Sequence, residues 1–384
     1  MTNLLDVGLI AIAAIGLGRT ALFVGAAITH ATREPARGAQ SRVSVLIPAK
    51  DEAAVIEDTV RSVLAAASWA DVAEIVVIDD GSTDGTSDVV RAIGDARVRL
   101  LTNPVNRGKA HALNDGLAAT TAPVVVTLDA DTRLAEDALV RISTAFQDPS
   151  VAAVAGNVKV ANREGWLGAM QSVEYVGALN IDRRGQAALG CVTTVPGALG
   201  AWRRDAVPNG FSDRTLAEDT DATLAVGLAG GRILYAADAV AFTVTPHTVM
   251  GLYRQRLRWL HGNLQCLFRH LLSWPGRSVP YALVGLPDFA WRHVGAFLAV
   301  PISLAWLPQG VAWVGAPTLV VASSLLFAAD LLVVLLAHRL DGERIPVGSV
   351  LVQRLVWPFL AWAVLAGVTV RIATGARGWT RARS

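Results

Sequence analysis

A single apolar run near the start of the chain, residues 7–28, limits the possible folds more than any other feature. It is about as long as a helix needs to cross the hydrocarbon layer, and Arg19 is its only charge. A cleaved leader fits it less well. The residues ahead of it include Asp6 and neither Lys nor Arg, and the run is longer than a leader's apolar stretch. Arg33, Arg37 and Arg42 follow, with Glu34 the only acid among them, so the chain is expected to enter the cytoplasm there. Three more runs of similar length lie towards the other end, at 294–315, 317–337 and 350–370. The stretch 281–292 carries Asp288 and Arg292 and is expected to be a helix lying at the membrane interface rather than a span. Four crossings would leave the C-terminus outside, whereas Arg371, Arg377, Arg381 and Arg383 favour the inside. A C-terminal segment that does not cross would remove the conflict.

These runs account for the composition. Hydrophobic residues make up 53% of the 384 and charged residues only 17%, against about 25% charge in soluble domains. The net charge of +2 gives no basis for a nucleic-acid partner. Cys191 and Cys266 cannot form a disulfide scaffold, and no Cys/His metal cluster is visible.

Between about residues 41 and 266 the pattern changes. Apolar, β-branched runs at 43–48, 74–79 and 124–129 read as buried strands. Stretches 55–67, 86–93 and 109–119 read as helices between them. Alternation of this kind predicts an α/β domain whose mostly parallel sheet is covered by helices, with ligands at the carboxyl ends of its strands.

Acidic groups sit at those ends. Asp79-Asp80-Gly81-Ser82-Thr83-Asp84-Gly85 follows the second strand and reads either as a capped turn or as a nucleotide site. Asp129-Ala130-Asp131 follows the third, and two carboxylates so spaced suit Mg²⁺ or Mn²⁺ together with substrate phosphates. Glu218-Asp219-Thr220-Asp221 precedes an apolar helix and reads as a helix start or as a general base. Lys109, at another helix start, reads as a solvated lysine or as a phosphate partner. In Gln255-Arg256-Leu257-Arg258-Trp259, helical spacing puts Gln255, Arg258 and Trp259 on one face. That face suits a phosphate and a stacked sugar, or a membrane interface.

The elements Pro48-Ala49-Lys50-Asp51-Glu52, Asp79-Asp80-Gly81-Ser82, Asp129-Ala130-Asp131, Glu218-Asp219 and Gln255-Arg256-Leu257-Arg258-Trp259 stand in this order over about residues 43–266. Taken together they resemble the processive, membrane-embedded family 2 glycosyltransferases, which include cellulose, chitin, hyaluronan and poly-N-acetylglucosamine synthases. Gly156-Asn157-Val158 and the run 245–262 are most similar to the last group. The resemblance implies a GT-A fold, a UDP-sugar donor (UDP-N-acetylglucosamine), a growing polysaccharide as acceptor, and a multi-pass protein of the cell membrane with a cytoplasmic catalytic domain. It implies inversion by direct displacement, with Asp219 as base beside Glu218. Pro48, Glu52, Asp79, Asp80, Lys109, Asp129, Gln255 and Arg258 would bind the donor. Asp129 and Asp131 would hold Mg²⁺ or Mn²⁺. Trp259, Gly197 and Trp202 would meet the acceptor. An accessory membrane subunit fits the same picture. One departure is Lys50-Asp51, where the family often has Tyr-Asn, because Lys50 cannot stack on uracil as Tyr does.

The implied organisation is a first membrane helix and basic linker over 1–40, a catalytic domain over 41–245, interface helices over 246–293, and membrane helices with a basic tail over 294–384. Arg19 and Asp330 are the ionisable residues inside apolar runs, and they are expected to pair or to line the polymer path. Two other functions compete: transfer of one sugar to a lipid carrier, and an inactive membrane scaffold.

Overall fold

The computed structural model describes residues 4–31, 40–271, 278–344 and 347–374. Arg33, Arg37, Arg377, Arg381 and Arg383 lie outside the described residues.

The catalytic layer is one eight-stranded sheet in the order β3-β2-β1-β4-β7-β6-β8-β5. The strands are β1 (Val43–Ala49), β2 (Val72–Asp80), β3 (Val98–Asn103), β4 (Val124–Thr127), β5 (Thr132–Leu134), β6 (Val151–Val160), β7 (Gly200–Arg203) and β8 (Arg232–Thr243). Pairs β1/β2, β1/β4, β2/β3 and β6/β8 are parallel. Strand β7 runs antiparallel to β4 and β6, and β5 to β8. Both faces are covered, and this explains why the strands are apolar without a polar face. Val43, Val45 and Ile47 enter one core layer, Leu46 the other, and β2 divides its Ile and Val residues the same way. Each such side chain contributes about 1.5–3 kcal/mol by leaving water.

Helices α2 (Ile56–Ala66), α3 (Thr86–Ala92), α4 (Lys109–Ala119), α5 (Ala138–Thr144) and α8 (Glu218–Leu228) pack on the sheet. The expected helix at 109–119 is found residue for residue. Strand β4 ends before Leu128, so Asp129 and Asp131 fall on the turn that follows. Helix α6 (Gly165–Glu174), a π-helical turn (Tyr175–Asn180) and α7 (Ile181–Ala188) run on as one rod, and α9 (Val249–Leu271) lies against α8.

Among the described residues there are also four long apolar helices: α1 (Leu4–Ala31), α10 (Leu286–Val314), α11 (Ala316–Leu340) and α12 (Val347–Thr374). The segments Asp6–His30 and Gly348–Thr374 are each long and apolar enough to cross a membrane. Helices α10 and α11 cover the other two runs expected to cross.

Two expectations are corrected here. Residues 281–292 are no separate interface helix. A π-helical turn (Tyr281–Gly285) leads straight into α10, and Asp288 is buried. Nor does Arg19 pair with Asp330. Arg19 bonds Asp288 at 2.5 Å and Asp182 at 2.6 Å, while Asp330 bonds Arg354 at 2.5 Å. Asp288 also accepts from Gln186 and forms an ion pair with Arg292, and both of these bond Thr193, so the first helix is tied to the loop before β7. Buried acids and bases meet where each satisfies the other, and sequence spacing could not choose among the available acids.

Cys191 and Cys266 are free and completely buried, and burial pushes both thiols up to about 12.

Candidate active site

The carboxyl ends of β1, β2 and β4 lie side by side, since Ala49 pairs with Asp79 and Leu46 with Thr127. At the end of β2, Asp79 accepts from the Ser82 amide at 2.7 Å and from the Ser87 hydroxyl. Asp80 accepts from the amides of Arg107 at 3.0 Å and Gly108 at 2.7 Å. Both side chains are buried. Their carboxylates were expected on the donor. In the structure they hold the chain's own turn and the loop that delivers Lys109.

Lys109 opens α4 and is the hub of the site. Its ammonium lies 2.7 Å from Asp129 Oδ1 and 3.0 Å from Glu218 Oε1. Burial opposes its charge, but Asp129, Glu218 and Asp219 outweigh burial and hold it above the usual lysine range. Asp219 starts α8 next to Glu218, and it accepts from the Thr220 amide at 2.7 Å and the Gly197 amide at 3.0 Å. Burial, and then the neighbouring Glu218, hold its carboxyl above the usual carboxylate range, against the pull of Lys109 and the two amides. A carboxylate with a raised pKa is suited to taking a proton near neutral pH.

Gly197 leaves room for the lysine, because a Cβ would stand 2.4 Å from Lys109 Nζ and displace it, 3.5 Å from Asp219 and 3.6 Å from Asp129. Three elements therefore converge on one point. The loop before β7 is fixed to α8 by the Val195 amide on Thr223 and the Gly197 amide on Asp219. Behind α8, Gln265 of α9 accepts from the Leu216 amide at 2.9 Å and holds the turn that leads to Glu218.

Asp131 accepts from the hydroxyls of Thr132 and Thr243. With Asp129 it supplies hard oxygen donors on one turn, and this fits a divalent cation that takes its remaining ligands from water and phosphate. Pro48 is half-buried near the end of β1, and Glu52 caps α2 through its carbonyl. Lys50 donates to the Gly81 carbonyl at 2.9 Å and pairs with Asp51, so it is part of the second turn.

On α9, Gln255 Oε1 is buried with no hydrogen-bond partner among the described residues. Arg258 and Trp259 are half-buried. Trp202 is a correction. It is completely buried on β7, edge-on to Phe211, with Nε1 donating to Thr127, so its side chain does not reach an acceptor.

Sequence reasoning missed Arg256. Its guanidinium lies 4.1 Å from the Trp259 ring centroid and 5.3 Å from that of Trp357, and it bonds Glu174 of α6 at 2.6 Å. The signals were the i, i+3 spacing of Arg256 and Trp259 and one acid in the apolar stretch of α6. Burial pushes Glu174 up and Arg256 pulls it down. Arg256→Leu should therefore cost about 3–5 kcal/mol, because it leaves a buried acid without its cation. Melting in detergent checks this, and the double variant with Glu174→Gln should recover most of the loss. Additive losses would contradict the pairing.

A family model described as glycosyltransferase-like family 2 matches residues 40–262. The poly-beta-1,6-N-acetyl-D-glucosamine synthase of Staphylococcus aureus is 33% identical over 235 residues, covering 60% of this chain and 57% of that protein. The Staphylococcus epidermidis protein of the same name is 31% identical over 269 residues, covering 69% and 64%. The chain thus spans less than two thirds of these relatives' length. A mannosyltransferase structure from Pyrobaculum calidifontis, in complex with GDP-Man and Mn²⁺, has a TM-score of 0.67 at 24% identity, covering 88% of this chain and 99% of that chain. That likeness is one of fold, and it bears out the mostly parallel, Rossmann-like GT-A domain expected from the sequence.

Proposed function

Since this chain belongs to the glycosyltransferase-like family 2, we propose that it polymerises N-acetylglucosamine from a UDP donor into a β-linked polysaccharide and passes the product into the membrane. The observation that carries this is the meeting of Lys109, Asp129, Glu218, Asp219 and Gly197 at the strand ends. One cation faces three carboxylates there, and one of those carboxylates has a raised pKa.

Asp219 takes the proton from the acceptor hydroxyl. The oxygen then bonds the anomeric carbon as the bond to the nucleoside diphosphate breaks, so the configuration inverts. Lys109 and Arg258 stabilise the charge left on the diphosphate. Glu218 holds Lys109 in place. Asp129 and Asp131 would hold Mg²⁺ or Mn²⁺, which when bound neutralises diphosphate charge. Gln255 offers a buried, unpaired oxygen to a donor hydroxyl. Pro48 and Glu52 form the nucleoside side, and Asp79 and Asp80 act through the loops they bond. Trp259 gives the acceptor an apolar wall.

The same reading places the catalytic unit over 41–245 in the cytoplasm, with α9 at the membrane interface and α1, α10, α11 and α12 as the membrane helices. The exposed apolar side chains of α1, α10 and α11, such as Ile10, Leu304 and Leu325, support contact with lipid. The purified chain, given UDP-N-acetylglucosamine, UDP-glucose and GDP-mannose with Mg²⁺ or Mn²⁺, should release nucleotide about tenfold or more faster from the first. Fastest release from GDP-mannose would overturn the donor assignment.

A further inference from the structure

We propose that α12, although long and apolar enough to cross a membrane, instead lies in the plane of the bilayer beneath the catalytic unit and returns the C-terminus to the catalytic side. This rests on the reading above that α1, α10 and α11 cross.

The packing of α12 carries the inference. Near its start, Val350 shares a buried cluster with Val173 of α6 and Val334 of α11. Further along, Leu360 and Val364 pack with Leu167 and Met170 of α6 and Leu252 of α9. Near its end, Val368 packs with Leu257 and Leu264 of α9, and Val294 and Phe297 of α10 close the same cluster. Gly367 lets the two helices meet, since a Cβ there would stand 2.3 Å from the Tyr253 hydroxyl oxygen. The whole length of α12 thus follows helices that are themselves fixed to the catalytic sheet.

Depth can be read from the helices that leave the catalytic unit. Val334 lies about 9 Å along α11 from its end at Leu340, and Val294 about 12 Å along α10 from its start at Leu286. The loop after α11 is anchored on the catalytic unit, because Asp341 bonds Arg184 at 2.6 Å and Glu343 bonds Lys159 at 2.9 Å. Between Val350 and Val368, α12 travels about 27 Å, yet its two ends pack against α11 and α10 within about 12 Å of where those helices meet the catalytic unit. A crossing would need about 30 Å of descent.

The outer face of α12 fits one occupant. Leu351, Leu355, Phe359, Trp362 and Val370 are exposed at helical spacing, opposite the buried Val350, Gln353, Leu360, Val364 and Val368. An apolar face of this kind, continuous with those of α10 and α11, belongs in acyl chains, with Arg371 at its end near headgroups. This placement also answers the conflict between four apolar runs and an arginine-rich tail.

Thr374→Cys and Thr318→Cys, the latter at the α10–α11 hairpin, are each exposed positions for a membrane-impermeant maleimide. The parent chain is the background control, because both native cysteines are buried. In intact cells Thr318→Cys should label and Thr374→Cys should not, and permeabilisation should expose the latter. Labelling of Thr374→Cys in intact cells overturns the proposal. Protection of both until permeabilisation overturns instead the crossing of α10 and α11 on which it rests. If Thr374→Cys labels in neither preparation, the pair Tyr253→Cys and Gly367→Cys decides. Bridging by a short bismaleimide supports the placement, and failure to bridge, with both thiols reactive in detergent, overturns it.

Discussion

Asp219→Asn lowers turnover by about 10²–10⁴-fold, the usual share of a general base, while donor binding and thermal stability stay near those of the parent. Asparagine keeps the shape and one of the two acceptor oxygens, and so one of the separate hydrogen bonds from the amides of Gly197 and Thr220. It cannot take a proton. The pH profile supplies the second half of the test. The base works when deprotonated, so turnover in the parent rises with pH through the Asp219 pKa, and that limb lies above the usual carboxylate range. In Asp219→Asn this limb disappears. Loss of less than about tenfold in turnover would remove Asp219 from the role.

Lys109→Met has the second large effect. It takes a cation from a point where it bonds Asp129 and Glu218 and faces Asp219. Three consequences follow from one lost charge. Donor affinity falls, because a diphosphate would meet unbalanced carboxylates. Turnover falls by about 10² or more, because a preorganised charge is lost from the leaving group. The acid limb moves to higher pH, since Lys109 pulls Asp219 down more strongly than the two amides do. Steady-state rates against pH and calorimetric UDP binding measure all three. Lys109→Arg keeps the charge and should restore the limb, though not full turnover, since a planar fork does not reproduce the geometry of an ammonium. An unchanged pH profile in Lys109→Met would contradict the coupling.

The catalytic sheet was legible because its strands are apolar throughout and end on acids. Runs such as 43–48 and 124–129 admit few other folds. Helix α4 was legible because Gly108 breaks the chain just before Lys109. Local pattern failed where the partner is distant in sequence. Arg19 had Asp182, Asp288 and Asp330 to choose from, and the choice depended on how α1 packs against α7 and α10. The resemblance put Trp202 on the acceptor, but its strand turns the ring into the core. Asp79 and Asp80 read as ligand-facing because strand-end acids often are, yet backbone amides reach them first. The apolar character of α12 gives its affinity for lipid but not its direction, which depends on α6 and α9.

The central claim is polymerisation from UDP-N-acetylglucosamine. The most direct measurement is the mass distribution of the product made by the purified, membrane-reconstituted chain from that donor alone. The account predicts a ladder of β-linked N-acetylglucosamine chains that lengthens with time and is absent in Asp219→Asn. A lipid carrying one sugar as the sole product would contradict it.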